Sequence, residues 1–316
     1  MISPKISICI PTYNREEHLR VLLDSIVLQT CFSEDIEIFI YDDPSSDNTE
    51  SMVWEYTKKY SNIRYHRNTV RAGMMPSILD SILQCSWEYI WLFGSDDIMG
   101  PFWLRTMLQL INEQKPDIIL NNYQDANLGI NYQESNLQYD TYSTISAFCN
   151  SLTKHKKIIP PTIGTIPDMY HYISYFSYMS IYCFRRDLFH KSYDRMLENW
   201  KYDYLQSHYF NYIFILFTGG YLNKICLCQN PTLTYNKSWG AAWKFSLKIL
   251  RDVMSIFYSI GYKNRISIST IILFWKLYII WYGWYIYNSK FISFLKTKHF
   301  VLYSALYKFV SKNFIK

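Results

Sequence analysis

The sequence predicts an α/β protein built on a mostly parallel central sheet. Short β-rich runs alternate with amphipathic helical segments four times within roughly the first 120 residues, which is the pattern of parallel strands joined by helices. Runs such as Tyr89–Phe93 are almost wholly apolar, as expected of strands that helices cover on both faces. The 316 residues, 49% of them hydrophobic, are enough to bury the core of one large or two modest domains.

The elements begin with a strand over residues 5–11, which a proline ends. Leucine and isoleucine at helical spacing predict a helix over 15–30, and Asn14 with Glu17 three residues later forms a capping box at its start. A second strand covers 36–43 and is followed by a turn rich in serine, aspartate and asparagine.

The alternation then continues to residue 123. The predicted elements are, in order, a helix over 51–60, a strand over 62–68, a helix over 73–86, a strand over 89–94, a helix over 101–114 and a strand over 117–123. Two further strands are predicted over 177–184 and 219–235.

Polar residues follow three of these strands at the point where each strand ends. They are the segment 11–15, the pair Asp42–Asp43 and the segment Ser95–Asp97. Ligands of such sheets bind outside the carboxyl ends of the strands, so the three segments line one edge. Two adjacent carboxylates with no neighbouring lysine or arginine indicate a divalent cation that a phosphate bridges. The alternative is that the last pair caps the next helix.

Three motifs resemble those of the family 2 glycosyltransferases, which have the GT-A fold. The motifs are SICIPTYNR, IEIFIYDDPSSDNT and YIWLFGSDD, in the order and at the spacing of that family. The resemblance is strong over residues 5–125 and weaker over 175–240. A closer resemblance, to the abequosyltransferase-like O-antigen sugar transferases, is carried by FGSDD, YFSYMSIYCFRRDLF and QSHYFNYIF.

The resemblance implies a role at the nucleotide end of the donor for four residues. Pro11 and Tyr13 would frame the base, with the Tyr13 ring packed on it. Asp43 would accept a hydrogen bond from the base or the ribose. Arg71 lies where family members present a loop that contacts the base or a phosphate, and its alternative is a surface salt bridge.

The third motif departs from the family pattern, because Ser95 replaces the first aspartate of Asp-x-Asp. Some family members have a shortened motif in which the final aspartate binds the metal. By this resemblance Asp97 is the ligand of a Mn²⁺ or Mg²⁺ ion that bridges the diphosphate. Asp96 would reach the ribose or the metal.

The resemblance also implies an inverting transfer, in which one base removes a proton from the acceptor hydroxyl. Family members take this base from a Glu-Asp pair, and no such pair stands in the corresponding region here. His208, at a position matching the closer relatives, is one candidate, since a neutral imidazole is a competent base. Asp203 is the other candidate, and a structural role for His208 inside an aromatic helix is the alternative to both.

Charge is unevenly distributed along the chain. Residues 244–316 carry 12 lysines and arginines and one acidic residue, whereas residues 1–243 carry 20 basic and 25 acidic residues. We therefore expect a GT-A catalytic domain over 1–243, with a nucleotide-sugar half over 1–125 and an acceptor half over 126–243. A helical basic extension follows over 244–316 and has an anionic partner.

Within this extension, the segment 266–288 contains one charged residue and many tyrosines and tryptophans, which favour the membrane interface. We expect it to lie in an anionic membrane surface. A helical subdomain packed on the catalytic domain and a spanning helix are the alternatives. Its apolar and aromatic composition suits lipid better than nucleic acid.

The expected function is transfer of a sugar from a CDP-, UDP-, GDP- or dTDP-sugar to a lipid-linked oligosaccharide in bacterial O-antigen or lipopolysaccharide synthesis. A dideoxyhexose such as abequose is one candidate sugar. Seven scattered cysteines and an N-terminus without a signal-peptide pattern indicate a cytoplasmic protein on the inner face of the membrane. The alternatives are a non-catalytic domain that binds nucleotide sugar and a nucleotidyltransferase.

Overall fold

A computed structural model describes residues 6–29, 31–33, 35–100, 103–126, 162–164, 179–198, 201–207, 211–219 and 221–236. The expectations for the extension 244–316 and for His208 lie outside these residues. Among the described helices, none combines the length and the apolar character that a membrane crossing requires.

The described segments form nine strands and seven α-helices. The strands are β1 (Ile6–Thr12), β2 (Ile36–Asp42), β3 (Ile63–Arg67), β4 (Tyr89–Leu92), β5 (Ile98–Met99), β6 (Ile118–Ala126), β7 (Thr162–Gly164), β8 (Tyr182–Arg185) and β9 (Ile225–Asn236). The helices are α1 (Glu16–Val27), α2 (Thr49–Lys59), α3 (Met74–Leu83), α4 (Trp103–Gln114), α5 (Arg186–Leu197), α6 (Tyr202–Ser207) and α7 (Asn211–Gly219). A 3₁₀ turn over Met179–Ile181 precedes β8.

The described strands form one mixed sheet in the order β3-β2-β1-β4-β8-β6-β9-β5, with β7 paired to β9. The first four strands are parallel, as the alternation predicts. This parallel part of the sheet ends at β4. The next strand, β8, comes from a later part of the chain and pairs antiparallel with both β4 and β6. The short strand β5 and the helix α5 are further elements that the sequence patterns did not predict.

Helices cover both faces of the sheet. One core contains α1, α2 and α4, which pack on the isoleucines of β1 and β2. The other contains α3, α5, α6 and α7, which pack on the alternate residues of the same strands, such as Cys9 and Phe39. This explains why the strands are apolar at consecutive positions, since each side chain meets one of the two cores.

The predicted capping box at the start of α1 is wrong. The helix begins at Glu16, and Asn14 has a positive φ of 50° outside it. The Asn14 side-chain oxygen accepts the backbone N–H of Ser46, at 2.7 Å, instead of a helix amide. The pattern misled because a partner distant in sequence took the oxygen that a local cap would have used.

Candidate active site

The three polar strand ends lie at one edge of the sheet, as predicted. Thr12 at the end of β1 pairs in register with Asp42 at the end of β2, and Cys9 pairs with Leu92 at the end of β4. The chain leaves β1 towards β2 and β3 on one side and later returns to β4 on the other. This edge is therefore a topological switch point, where α/β sheets form the crevice that binds a ligand.

Asp43 lies directly beyond β2 and is 2% exposed. Its two oxygens accept the backbone N–H groups of Ala72, at 2.7 Å, and Gly73, at 2.9 Å. Gly73 has a φ of 92°, which an L side chain would oppose, so a glycine suits this turn. Asp43 thus fixes the loop before α3, while each carboxylate oxygen retains a second lone pair for a ligand.

Arg71 belongs to the loop that Asp43 fixes, and its side chain reaches Tyr13. The guanidinium lies 4.0 Å from the centre of the Tyr13 ring, in cation–π geometry. The Arg71 Nε atom is also 4.0 Å from an Asp43 oxygen, so the salt-bridge alternative is present at the limit of contact. Three of the predicted nucleotide residues are therefore one connected group, and Pro11 lies half-buried two residues before Tyr13.

Asp42 has a different environment from its neighbour Asp43. It is fully buried and accepts hydrogen bonds from the backbone N–H and hydroxyl of Ser45 and from the hydroxyl of Tyr65. It also forms a salt bridge with Arg67. These partners hold the loop after β2 in place. The structure therefore gives Asp42 a supporting function and leaves the second residue of the pair at the site.

The loops after β1 and β2 are bonded to each other. Their contacts are Asn14 N–H to Ser45 Oγ at 2.9 Å, Arg15 N–H to Thr49 Oγ1 at 3.2 Å, and Glu16 N–H to Asp47 Oδ2 at 3.2 Å. The amides at and just before the start of α1 thus find their acceptors in the loop after β2 and at the start of α2. This arrangement orients the segment that carries Tyr13.

Asp96 and Asp97 occupy a tight turn after β4. The Asp97 N–H donates to the Gly94 carbonyl at 3.2 Å, and the Asp97 side chain is 2% exposed. Its Oδ2 atom accepts the hydroxyl of Ser180, which in turn accepts the Gly94 N–H at 2.7 Å. Ser180 lies within the segment YFSYMSIYCFRRDLF, but its bond to Asp97 spans 83 residues and was not predicted.

The turn fits a site for a divalent cation. A Cβ atom added to Gly94 would lie 2.7 Å from Asp97 Oδ2 and 3.2 Å from Asp96 Oδ1, so both carboxylates crowd a position that only glycine leaves open. Among the described residues no three carboxylate, histidine or cysteine side chains form a cage. Mg²⁺ is commonly held by one or two carboxylates and the phosphates of its substrate, and this donor set matches that mode.

Asp96 is the more accessible member of the pair. Burial raises the pKa of its carboxyl group, and the positive charge of Arg15 opposes that rise. Arg15 was not among the predicted site residues, although it stands at the end of the first motif. The positive charge of Arg15, in the loop after β1, therefore acts on the carboxyl group of Asp96 in the turn after β4.

Asp203, a predicted base, lies exposed on α6. Its neighbour Tyr202 donates to Asp80 in the middle of α3, at 3.2 Å. Asn211, at the start of α7, instead donates to the carbonyl of Met75 in the first turn of α3, at 2.7 Å. Gly73, directly before α3, donates to Asp43, so Asp43 and Asn211 both contact the N-terminal end of α3.

Comparison with known proteins identifies the class of the chain. The family model described as glycosyl transferase family 2 matches residues 7–185, which is more than half of the sequence. The chain therefore belongs to glycosyltransferase family 2. The match includes all three strand ends and continues through Ser180.

Curated relatives are similar over part of the chain. The abequosyltransferase RfbV of Salmonella typhimurium is 43% identical over 116 residues, which are 36% of this chain and 34% of that protein. A GalNAc(5)-diNAcBac-PP-undecaprenol β-1,3-glucosyltransferase of Campylobacter jejuni is 30% identical over 141 residues, 44% of this chain and 45% of that protein. The chain spans between about a third and a half of the length of these two relatives.

Solved structures share the fold. TarS residues 1–349 from S. aureus, in complex with UDP-GlcNAc, aligns with a TM-score of 0.60 and covers 93% of this chain and 76% of that chain. The sequence identity is 17%, so this likeness establishes the fold alone. With the family match, it confirms the predicted GT-A fold.

Proposed function

We propose that the protein transfers a sugar from a nucleotide sugar to a lipid-linked oligosaccharide, with inversion and with the help of a divalent metal. The observation that carries this proposal is the meeting of Tyr13, Asp43 and the Asp96–Asp97 turn at the switch point of the sheet. Membership of glycosyltransferase family 2 supplies the reaction class and disfavours a nucleotidyltransferase.

The nucleoside end of the donor binds at β1 and β2 in this proposal. Pro11 and the Tyr13 ring frame the base, and Asp43 accepts a hydrogen bond from the base or ribose through its remaining lone pairs. Since Arg71 lies over the Tyr13 ring, the base either takes the other face of that ring or displaces the guanidinium. A displaced Arg71 remains close enough to contact a phosphate.

Asp97 would hold the Mn²⁺ or Mg²⁺ ion, and Asp96 would contact the ion or the ribose. When bound, the ion neutralises the negative charge that develops on the leaving diphosphate. The Asp97 carboxylate is held by Ser180 before the donor arrives. The positive charge of Arg15 stabilises the negative charge of the Asp96 carboxylate in this turn.

The transfer forms a bond between the acceptor oxygen and the anomeric carbon while the bond to the diphosphate breaks. The base takes the acceptor proton, and the nucleoside diphosphate leaves with the bonding electron pair. His208 is the base in this proposal and Asp203 is its rival.

Two named relatives guide the choice of substrates. The similarity to an abequosyltransferase supports a dideoxyhexose such as abequose as the sugar, carried by CDP, UDP, GDP or dTDP. A relative named for an undecaprenol-linked substrate supports a lipid-linked acceptor in bacterial surface polysaccharide synthesis, including O-antigen and lipopolysaccharide. Such an acceptor would keep the enzyme on the inner face of the cytoplasmic membrane.

The charge of residues 244–316 supports the same location. Each lysine or arginine near an anionic surface contributes about 1 kcal/mol of attraction, which salt screens. We expect the full chain to sediment with anionic vesicles and to be partly released by high salt. If sedimentation resists both salt and carbonate and only detergent releases the protein, then residues 266–288 span the bilayer instead. A full chain that never sediments would refute membrane binding.

The decisive experiment is a transfer assay with a panel of nucleotide sugars and an undecaprenol-linked oligosaccharide, with and without Mn²⁺. Asp97→Asn keeps the size of the side chain and removes its charge. We expect it to abolish the metal-dependent part of donor affinity and the transfer activity while the apo protein remains folded. Near-normal activity of Asp97→Asn at saturating Mn²⁺ would contradict the assignment, and donor binding without any turnover would favour the non-catalytic alternative.

A further inference from the structure

The Ser180 hydroxyl connects two parts of the turn that carries Asp97. Its oxygen accepts the Gly94 N–H at 2.7 Å and donates to Asp97 Oδ2. A backbone N–H can only donate, so the single hydroxyl proton of Ser180 is directed to the carboxylate. This fixes the direction of the hydrogen bond and the rotation of the Asp97 carboxylate group.

Ser180 is itself held rigidly. Its residue is fully buried, and its carbonyl accepts the indole N–H of Trp91, at 3.0 Å. The next carbonyl, of Ile181, accepts the side-chain amide of Asn121 at 3.1 Å. The following strand β8 is paired on both sides, by β4 and by β6. The hydroxyl therefore has a fixed position relative to the strand that ends at Asp97.

We propose that Ser180 is the positioning residue of the metal-binding carboxylate, an inference that rests on the proposed function. Its hydroxyl holds the Asp97 carboxylate in one orientation before the donor binds, so that the carboxylate would not have to become ordered when a metal ion binds. Groups that orient a metal ligand in this way typically change metal affinity by about 10–100-fold when they are removed. Because Ser180 belongs to the acceptor half of the chain, this bond joins the two halves at the metal site.

The test compares two serines of equal burial. Ser180→Ala removes the hydroxyl that bonds Asp97. Ser192→Ala is the matched control, since Ser192 is also fully buried and, in the described part of the chain, its hydroxyl has no hydrogen-bond partner. Ser180→Cys is a second variant that fills nearly the same volume with a much weaker donor, in case the alanine variant fails to fold.

The measured quantity is the affinity of the full chain for a nucleoside diphosphate, by calorimetry, in MnCl₂ and in EDTA. The probe is whichever of CDP, UDP, GDP and dTDP raises the thermal midpoint of the wild type most. For Ser180→Ala we expect about a tenfold or greater loss of affinity in MnCl₂ and no change in EDTA. Ser180→Cys should show a smaller loss of the same kind, and Ser192→Ala should match the wild type in both conditions.

Three results would overturn the inference. If Ser180→Ala and Ser180→Cys keep the full gain from Mn²⁺, Ser180 does not position the ligand, and the proposed function survives. If they lose affinity equally in MnCl₂ and EDTA, the serine acts on the fold of the site rather than on the metal ligand. If the wild type gains nothing from Mn²⁺, the metal assignment of Asp97 is itself wrong, and the function of Ser180 falls with it.

Discussion

Asp43→Asn tests whether the loop before α3 is part of the nucleotide site. The oxygen of the amide side chain can still accept one of the two backbone N–H groups, of Ala72 or of Gly73. The NH₂ group then faces the remaining N–H, so that two donors oppose each other. Hydrogen bonds to a charged group contribute about 1.5–3 kcal/mol each, and the exposure of Ala72 allows water to replace one of them. We therefore expect the free energy of unfolding to fall by about 2–3 kcal/mol, which lowers the thermal midpoint by about 3–5 °C for a chain of this length.

The same change should weaken the affinity for free nucleoside diphosphate by about 10–100-fold, because it removes the acceptor and releases the loop that carries Arg71. Glu37→Gln is the matched control. Glu37 is a buried carboxylate at the opposite end of β2, where it accepts Arg64, Ser7 and Ser86. Glu37→Gln should lower the free energy of unfolding by a similar amount and leave the affinity for nucleoside diphosphate within about twofold of the wild type.

Calorimetry with free nucleoside diphosphate and with the nucleotide sugar separates the outcomes. Equal losses in Asp43→Asn and Glu37→Gln would refute the reasoning, since the effect would then follow from stability alone. A loss for the nucleotide sugar only would mean that Asp43 contacts the sugar. A double-mutant cycle with Arg71→Ala should give a coupling of at least about 0.5 kcal/mol, because the two residues share one loop.

Two further predictions concern the base and the pH dependence of stability. His208→Ala should reduce turnover by roughly 10²–10⁴-fold with unchanged donor affinity, and the exposed Asp203 should matter much less in single-turnover assays; the reverse result would make Asp203 the base. Burial and the charge of Arg15 lower the pKa of His18 to about 4 in the fold, below the value of about 6.5 expected when unfolded. The unfolded chain therefore binds the proton first, and His18 should cost about 3 kcal/mol of stability as the pH falls from about 6.5 to about 4. Thermal midpoints over this range should fall less in His18→Gln than in the wild type, and parallel curves would contradict the assignment.

The part of the fold that follows from local patterns was predictable. Strands β1 to β4 and helices α1 to α3 each carry their own periodicity, and consecutive βαβ units must be parallel. The common edge of Asp43 and Asp97 follows from that order without any knowledge of contacts. The bounds of the elements were less accurate, as for α1, which the pattern extended to residue 30 and the structure ends at Val27.

The missed features depend on pairings between segments that are distant in the chain. The insertion of β8 beside β4 and the bond from Ser180 to Asp97 span more than 80 residues. The amides of Arg15 and Glu16 likewise bond the loop after β2, which no capping rule for a single helix can reveal. A sequence states which groups need partners, and it does not state which distant segment supplies them.

The adjacent aspartates after β2 illustrate the same limit within one motif. The sequence presents Asp42 and Asp43 as equals, yet the alternation of side chains along a strand directs them to opposite sides. Asp42 is enclosed by Ser45, Tyr65 and Arg67, whereas Asp43 meets the backbone of the next loop. The residue types predict a carboxylate at this edge, the resemblance selected Asp43, and the packing shows the structural partners that occupy Asp42.

We expect the turn after β4 to bind a metal ion even though Ser95 replaces the first aspartate of the third motif. Ser95 is 8% exposed and adjoins Asp96, whose carboxyl pKa burial already raises against the opposing charge of Arg15. A third carboxylate at this buried position would add desolvation and repulsion to a turn that holds two. A donor diphosphate supplies the remaining oxygens that a divalent cation requires. We therefore expect one buried carboxylate to be enough for metal binding, with its orientation set by the bond from Ser180 to Asp97.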